Sequence, residues 1–165
     1  MKKLKIAFTI ILAGLLGRTE IMAQSNTFKT SPASEVGLVH HRKVNVNGLG
    51  VFYRESGPAG APTILLLHGY PTSSHMFRNL IPVLNKKYRI IAPDLPGFGN
   101  TDLPDRKTYT YTFENLAKTI QGFIDELGLK RFAIYVFDYG APPGVRLALA
   151  NPDKLTGIIS QNGNA

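Results

Sequence analysis

The sequence predicts an α/β fold, a mostly parallel sheet standing behind an N-terminal antiparallel hairpin. Three observations predict it. Short apolar runs alternate with stretches whose apolar residues fall on one helical stripe. The runs are continuous, as expected of strands buried on both faces. An Asn-Gly pair between two strand-like segments precedes them all, and Asn-Gly is a strong hairpin signal.

The elements follow in order. Residues 43–46 alternate as a strand should, and residues 51–54 form its partner, with a loop over residues 47–50. Pro58, Gly60 and Pro62 make a turn cluster. Residues 63–67 (Thr-Ile-Leu-Leu-Leu) are the first buried strand. Residues 73–84 read as a helix, with Met76, Phe77, Leu80, Ile81 and Leu84 on one stripe. Residues 88–92 are a strand ended by Pro93. Thr112 is placed to cap a helix carrying Leu116, Ile120, Phe123, Ile124 and Leu127 on one face, and Gly128 ends it. Residues 132–137, 140–149 and 155–160 read as strand, helix and strand.

Composition narrows the function classes. The 165 residues suggest one domain, and no low-complexity tract or disordered bias is present. The formal charge of +8 has a local source in part: Lys2, Lys3, Lys5 and Arg18 against Glu20. The rest is spread without a basic run or an aromatic-interleaved stripe, so no nucleic-acid partner is expected. Residues 1–23 read as a secretory signal, with a charged start, an apolar stretch and Ile21-Met22-Ala23 before Gln24. The apolar stretch is short for a bilayer and is interrupted by Arg18 and Glu20, so cleavage is favoured over a lasting membrane anchor. Residues 24–39 are polar and read as a linker, leaving residues 40–165 as the folded domain. The absence of Cys excludes both a disulfide framework and a lipid-modified Cys at the cleavage point. The expected location is secreted or periplasmic.

Three segments at strand ends hold residues with chemical potential: His68-Gly69-Tyr70-Pro71, the turn-rich residues 94–102, and Asp138-Tyr139-Gly140. Ligands of such sheets bind beyond the carboxyl ends of the strands. Alone, the first reads as a strand-ending turn and the second as a surface loop. No Lys-Ser/Thr pair follows the glycines of residues 94–102, so they make no phosphate cradle. No metal site and no cofactor are read. Asp138, between a strand and a helix, has two readings. It is a good helix N-cap, and it occupies the corner where a nucleophile elbow presents its side chain.

The order of these motifs resembles the α/β-hydrolase fold over residues 40–165. Within it, the chain resembles the Asp-nucleophile branch of epoxide hydrolases and haloalkane dehalogenases, and His68-Gly69-Tyr70-Pro71 matches the epoxide-hydrolase form of the oxyanion loop. The resemblance implies that Asp138 is the nucleophile. It attacks an electrophilic carbon, displaces an alkoxide or halide, and forms an alkyl ester. The backbone N–H groups of Tyr70 and Tyr139 are the implied oxyanion donors, with His68, Gly69 and Pro71 shaping their loop. The implied partner is a small molecule, an epoxide or alkyl halide. The catalytic His of this branch follows the nucleophile, whereas His40, His41, His68 and His75 all precede it. That His, the cap domain and the remaining strands are expected beyond Ala165, so the chain is expected to be incomplete and inactive alone, with an exposed apolar last strand.

Tyr139 and Tyr70 stand where dehalogenases commonly carry Trp and Asn, which tilts the choice toward epoxides. Val136 is β-branched where the elbow usually has a small residue, and Pro143 lies far enough into the next helix to threaten it. A dehalogenase-like hydrolase and a non-catalytic fragment or binding module remain as alternatives. An ordinary esterase is disfavoured because position 138 is not Ser.

Overall fold

The computed structural model describes residues 37–164. The expected signal segment and most of the expected linker lie outside the described residues. Six strands form one sheet in the order β1-β2-β4-β3-β5-β6. They are β1 (His40–Val46), β2 (Leu49–Ser56), β3 (Thr63–Leu67), β4 (Arg89–Pro93), β5 (Phe132–Phe137) and β6 (Leu155–Gln161). β2 runs antiparallel to both β1 and β4, while β4, β3, β5 and β6 are mutually parallel.

The hairpin is tighter than expected. Val46 pairs with Leu49, so the loop is only Asn47-Gly48, and Leu49-Gly50 belong to β2. Both loop residues have positive φ, 51° and 87°, as a type I′ turn demands. Gly50 remains in the strand because the Asp102 carboxylate closes on it: a Cβ there would lie 2.7 Å from Asp102 Oδ2.

The expected helix over residues 73–84 is instead a 3₁₀ segment, Ser74–Asn79, followed by the single turn α1 (Ile81–Leu84). Pro82 is the physical reason. It has no N–H to donate, and its ring would strike the carbonyl four residues back in a continuous helix. Ser73 caps the segment, accepting from His75 N at 3.3 Å. The helix capped by Thr112 forms as read: α2 spans Phe113–Glu126, Thr112 accepts from Asn115 N, and Gly128 follows with φ of 63°.

The core lies on both faces of the sheet because successive strand residues point to opposite sides. Leu65 and Leu67 of β3, Ile91 of β4 and Ile134 of β5 join Ile120, Phe123 and Ile124 of α2. Ile64, Leu66, Ile90 and Ala92 face the other way, against Phe77 and Ile81. α3 (Ala141–Ala150) packs on the α2 side and buries Leu147. β6 pairs with β5 and, among the described residues, with no further strand. Its Ile158 and Ile159 are half exposed, the apolar edge the sequence leads one to expect.

The chain leaves β3 for β4 on one side, and β5 lies on the other side of β3. The strand order therefore reverses between β3 and β5, and in open α/β sheets that crevice is where ligands bind.

Candidate active site

The two loops that flank the crevice are His68-Gly69-Tyr70-Pro71, leaving β3, and Asp138-Tyr139-Gly140, leaving β5. Asp138 opens a 3₁₀ turn (Asp138–Gly140) that leads into α3. Its φ is +47°, a left-handed backbone that costs an L-residue about 1 kcal/mol or more. Such outliers persist where the surroundings over-determine them, often at functional sites.

The corner is held by close backbone approaches that only glycine permits. A Cβ at Gly140 would lie 2.6 Å from Leu67 O and 2.7 Å from His68 O. A Cβ at Gly69 would lie 2.7 Å from Asp138 Cβ and 2.8 Å from its Oδ1. Val136 fits beneath the elbow because Gly144 faces it: a Cβ at 144 would lie 2.4 Å from Val136 Cγ1. Pro143 does not disturb the helix. α3 begins at Ala141, so Pro142 and Pro143 occupy its first turn, where N–H groups have no intrahelical partner.

The capping alternative for Asp138 is not what the molecule does. Neither the 3₁₀ turn nor α3 has a side-chain cap. Instead Tyr70 N–H donates to Asp138 Oδ1 at 2.8 Å. Tyr70 N–H is the one donor found on this carboxylate among the described residues, so the second expected donor, Tyr139 N–H, makes no bond to it. The Tyr139 ring packs at 4.7 Å from Phe113 and 5.8 Å from Phe98, centroid to centroid. Asp138 lines an open cavity of about 700 Å³ with Tyr70, Phe113, Tyr139, Pro142 and Arg146. A larger cavity of about 840 Å³, edged by Phe98, Leu103, Tyr109 and Tyr111, lies on the other side of Tyr139.

His68 is buried completely. Its Nε2 accepts from Leu95 N–H at 2.9 Å, so the proton sits on Nδ1, which donates to Gly69 O at 3.0 Å. Burial pushes its pKa below the ordinary imidazole value and keeps it neutral, against smaller opposing effects of the Gly69 carbonyl and Asp94. His68 thus joins the loops after β3 and β4 and has no nitrogen free for proton transfer. The other histidines sit elsewhere: His40 and His41 on β1, His75 exposed in the 3₁₀ segment.

Residues 94–102 form an anchored loop: Gly97, Gly99, Asn100 and Asp102 are exposed as in a surface loop, but its ends turn inward. Asp94, Leu95 and Thr101 are buried. Asp94 Oδ1 accepts from Ser74 N at 2.7 Å and Oδ2 from Asn100 N at 2.8 Å, while Thr101 Oγ1 donates to the Asp94 carbonyl at 2.7 Å. Gly99, with φ of 54°, is required because a Cβ would lie 2.0 Å from Asp94 Oδ2. The sequence signal was available in the Asp at a strand end followed by spaced glycines. What it could not show is that the carboxylate turns inward to organise the loop. The aromatic wall of Phe98 and Phe113 beside Tyr139 has no local signature at all.

A fold with this topology and this corner defines a class, and comparison with known proteins agrees. Residues 62–165 match the model of the alpha/beta hydrolase fold family. The chain belongs to that family. It is 54% identical over 129 residues to an uncharacterized hydrolase of Saccharomyces cerevisiae, an alignment covering 78% of this chain and 44% of the relative. A haloalkane dehalogenase of Psychrobacter cryohalolentis is 38% identical over 115 residues, covering 69% of this chain and 38% of that protein. The crystal structure of an epoxide hydrolase from Vigna radiata superposes with a TM-score of 0.68 at 35% identity, covering 74% of this chain and 39% of that one. The chain therefore spans about two fifths of the length of these relatives.

Proposed function

We propose that this chain carries the nucleophile-bearing part of an epoxide-hydrolase-like enzyme, with Asp138 attacking an electrophilic carbon. The observation that carries the reading is a carboxylate at a left-handed elbow, over the point where strand order reverses, that caps no helix and instead accepts the Tyr70 N–H. Tyr70 N–H holds Oδ1, which leaves Oδ2 to attack. A lone pair of Oδ2 forms the new C–O bond as the carbon's bond to the epoxide oxygen or halogen breaks. The epoxide alkoxide takes a proton from solvent; a halide leaves as the anion. Oδ1 becomes the ester carbonyl oxygen, already facing a donor positioned for charge that builds when water attacks the carbonyl carbon. Tyr139 N–H is the second donor of this reading, reached once the carboxylate is esterified.

Water attack needs a base. Among the described residues His68 has both nitrogens engaged and no other histidine lies in the Asp138 cavity. The ester formed by this chain therefore accumulates. The dehalogenase relative keeps alkyl halides as the second reading. We also propose, on the charged and apolar pattern of residues 1–23, that the chain is exported.

The test is intact-protein mass spectrometry after exposure to 1,2-epoxybutane or to 1-bromobutane. One stable adduct per chain, mapped to Asp138 and absent in Asp138→Asn, is expected. The epoxide adduct supports the first reading and the butyl adduct the second. A folded chain that gains neither counts against a nucleophilic Asp138 and favours a non-catalytic module.

A further inference from the structure

We propose that Thr72 is a positioning residue for the oxyanion loop: its hydroxyl clamps the Gly69 carbonyl and so aims the Tyr70 N–H at Asp138. The Gly69 carbonyl and the Tyr70 N–H are the two ends of one planar peptide unit and point in opposite directions. Fixing one end fixes the other. The Gly69 oxygen is gripped by three donors: Thr72 Oγ1 at 2.8 Å, Thr72 N at 3.0 Å and His68 Nδ1 at 3.0 Å. The opposite end donates to Asp138 Oδ1 at 2.8 Å.

The clamp does more than hold orientation. Hydrogen bonds that draw electron density to a carbonyl polarise the peptide and make its N–H a stronger donor. The three donors differ in kind. The Thr72 N–H bond closes the turn and accompanies any residue at that position. The His68 bond comes from a ring locked by Leu95 N–H. The Thr72 hydroxyl is the donor that depends on a single exposed side chain. Its one proton has a rival acceptor in Met76 Sδ at 3.3 Å, but a carbonyl oxygen is the stronger acceptor and lies closer.

The consequence for rate rests on the reading of Asp138 as a nucleophile; the clamp itself does not. The experiment separates the two by recording the Tyr70 amide by ¹H–¹⁵N NMR in the full chain, beside the rate of labelling by 1-bromobutane. Thr72→Val is expected to move the Tyr70 amide proton upfield and speed its exchange about tenfold, the worth of one hydrogen bond. Thr72→Ser, which retains the hydroxyl, restores both. Met76→Leu leaves both unchanged, and the Leu95 amide reports that His68 and the fold are intact in every variant. Labelling does not slow in Thr72→Val, because the weakened donor faces a carboxylate whose charge falls as the alkyl ester forms, whereas the donor serves charge that builds when water attacks the ester. A Tyr70 amide unmoved by Thr72→Val, or moved equally by Met76→Leu, overturns the clamp. If the parent chain takes no label from either 1-bromobutane or 1,2-epoxybutane, the nucleophile reading fails while the amide result still decides the clamp.

Discussion

Gly69→Ala tests the geometry of the crevice most directly. An added Cβ would stand 2.7 Å from Asp138 Cβ and 2.8 Å from both Asp138 Oδ1 and Phe137 Cδ1. The Phe ring and the carboxylate oxygen can rotate aside. The Asp138 Cβ cannot, because it is fixed to the backbone. To reach the 3.4 Å of ordinary van der Waals contact, the two loops must part by about 0.7 Å, well within the range where overpacking costs ~1–3 kcal/mol. The same movement stretches the Tyr70 N–H···Oδ1 bond from 2.8 Å toward about 3.5 Å, past a useful hydrogen bond, which removes about 1.5 kcal/mol more. The expected outcome is a loss of about 3 kcal/mol in urea unfolding and a melting temperature lower by ~10 °C. Gly60→Ala is the control. A Cβ there meets nothing within 4 Å, so that variant should be neutral or slightly stabilised by its stiffer unfolded chain. A Gly69→Ala protein that melts like the parent refutes the close approach of the two loops.

Two further predictions follow from buried groups. Burial lowers the His68 pKa below its ordinary value, so the unfolded chain binds the proton more readily. Stability from this group is complete above about pH 6.5 and falls as the pH drops below it, by at most ~1.4 kcal/mol per pH unit; urea unfolding between about pH 5.5 and 7.5 should show that slope in the parent and lose it in His68→Gln. Gly144→Ala should destabilise by about 1–3 kcal/mol through its clash with Val136 Cγ1; Val136→Ala removes that methyl, so the double variant should be more stable than the sum of the singles by about 1 kcal/mol, and strict additivity would show the contact to be absent.

How far the chain could be read from its residues depended on the range of the interaction that decided each feature. Continuous apolar runs, the Asn-Gly pair and the Thr112 and Gly128 stops act within a few residues, so the strands, the hairpin and α2 were legible. The broken segment at residues 74–84 was legible in principle, since Pro82 alone forbids a continuous helix. The apolar stripe concealed it, because a 3₁₀ segment followed by one α-turn can bury Phe77 and Ile81 as well. The position of Asp138 at a strand-to-helix corner was also legible from the order of motifs.

The residues by themselves determined that a carboxylate would stand at a strand-to-helix corner, after a His-Gly-Tyr-Pro loop, in a mostly parallel sheet. They left two uses for that carboxylate, a helix cap or a group presented to a ligand. Only the tertiary structure removed the cap, because the contacts that do so join residues far apart in the chain. Tyr70 reaches Asp138 across 68 positions, Leu95 reaches His68 across 27, and Gly69 and Gly140 allow the two loops to touch. Those contacts exist because β3 and β5 lie side by side in the sheet, and strand adjacency is settled by packing over the whole sheet rather than by any local pattern.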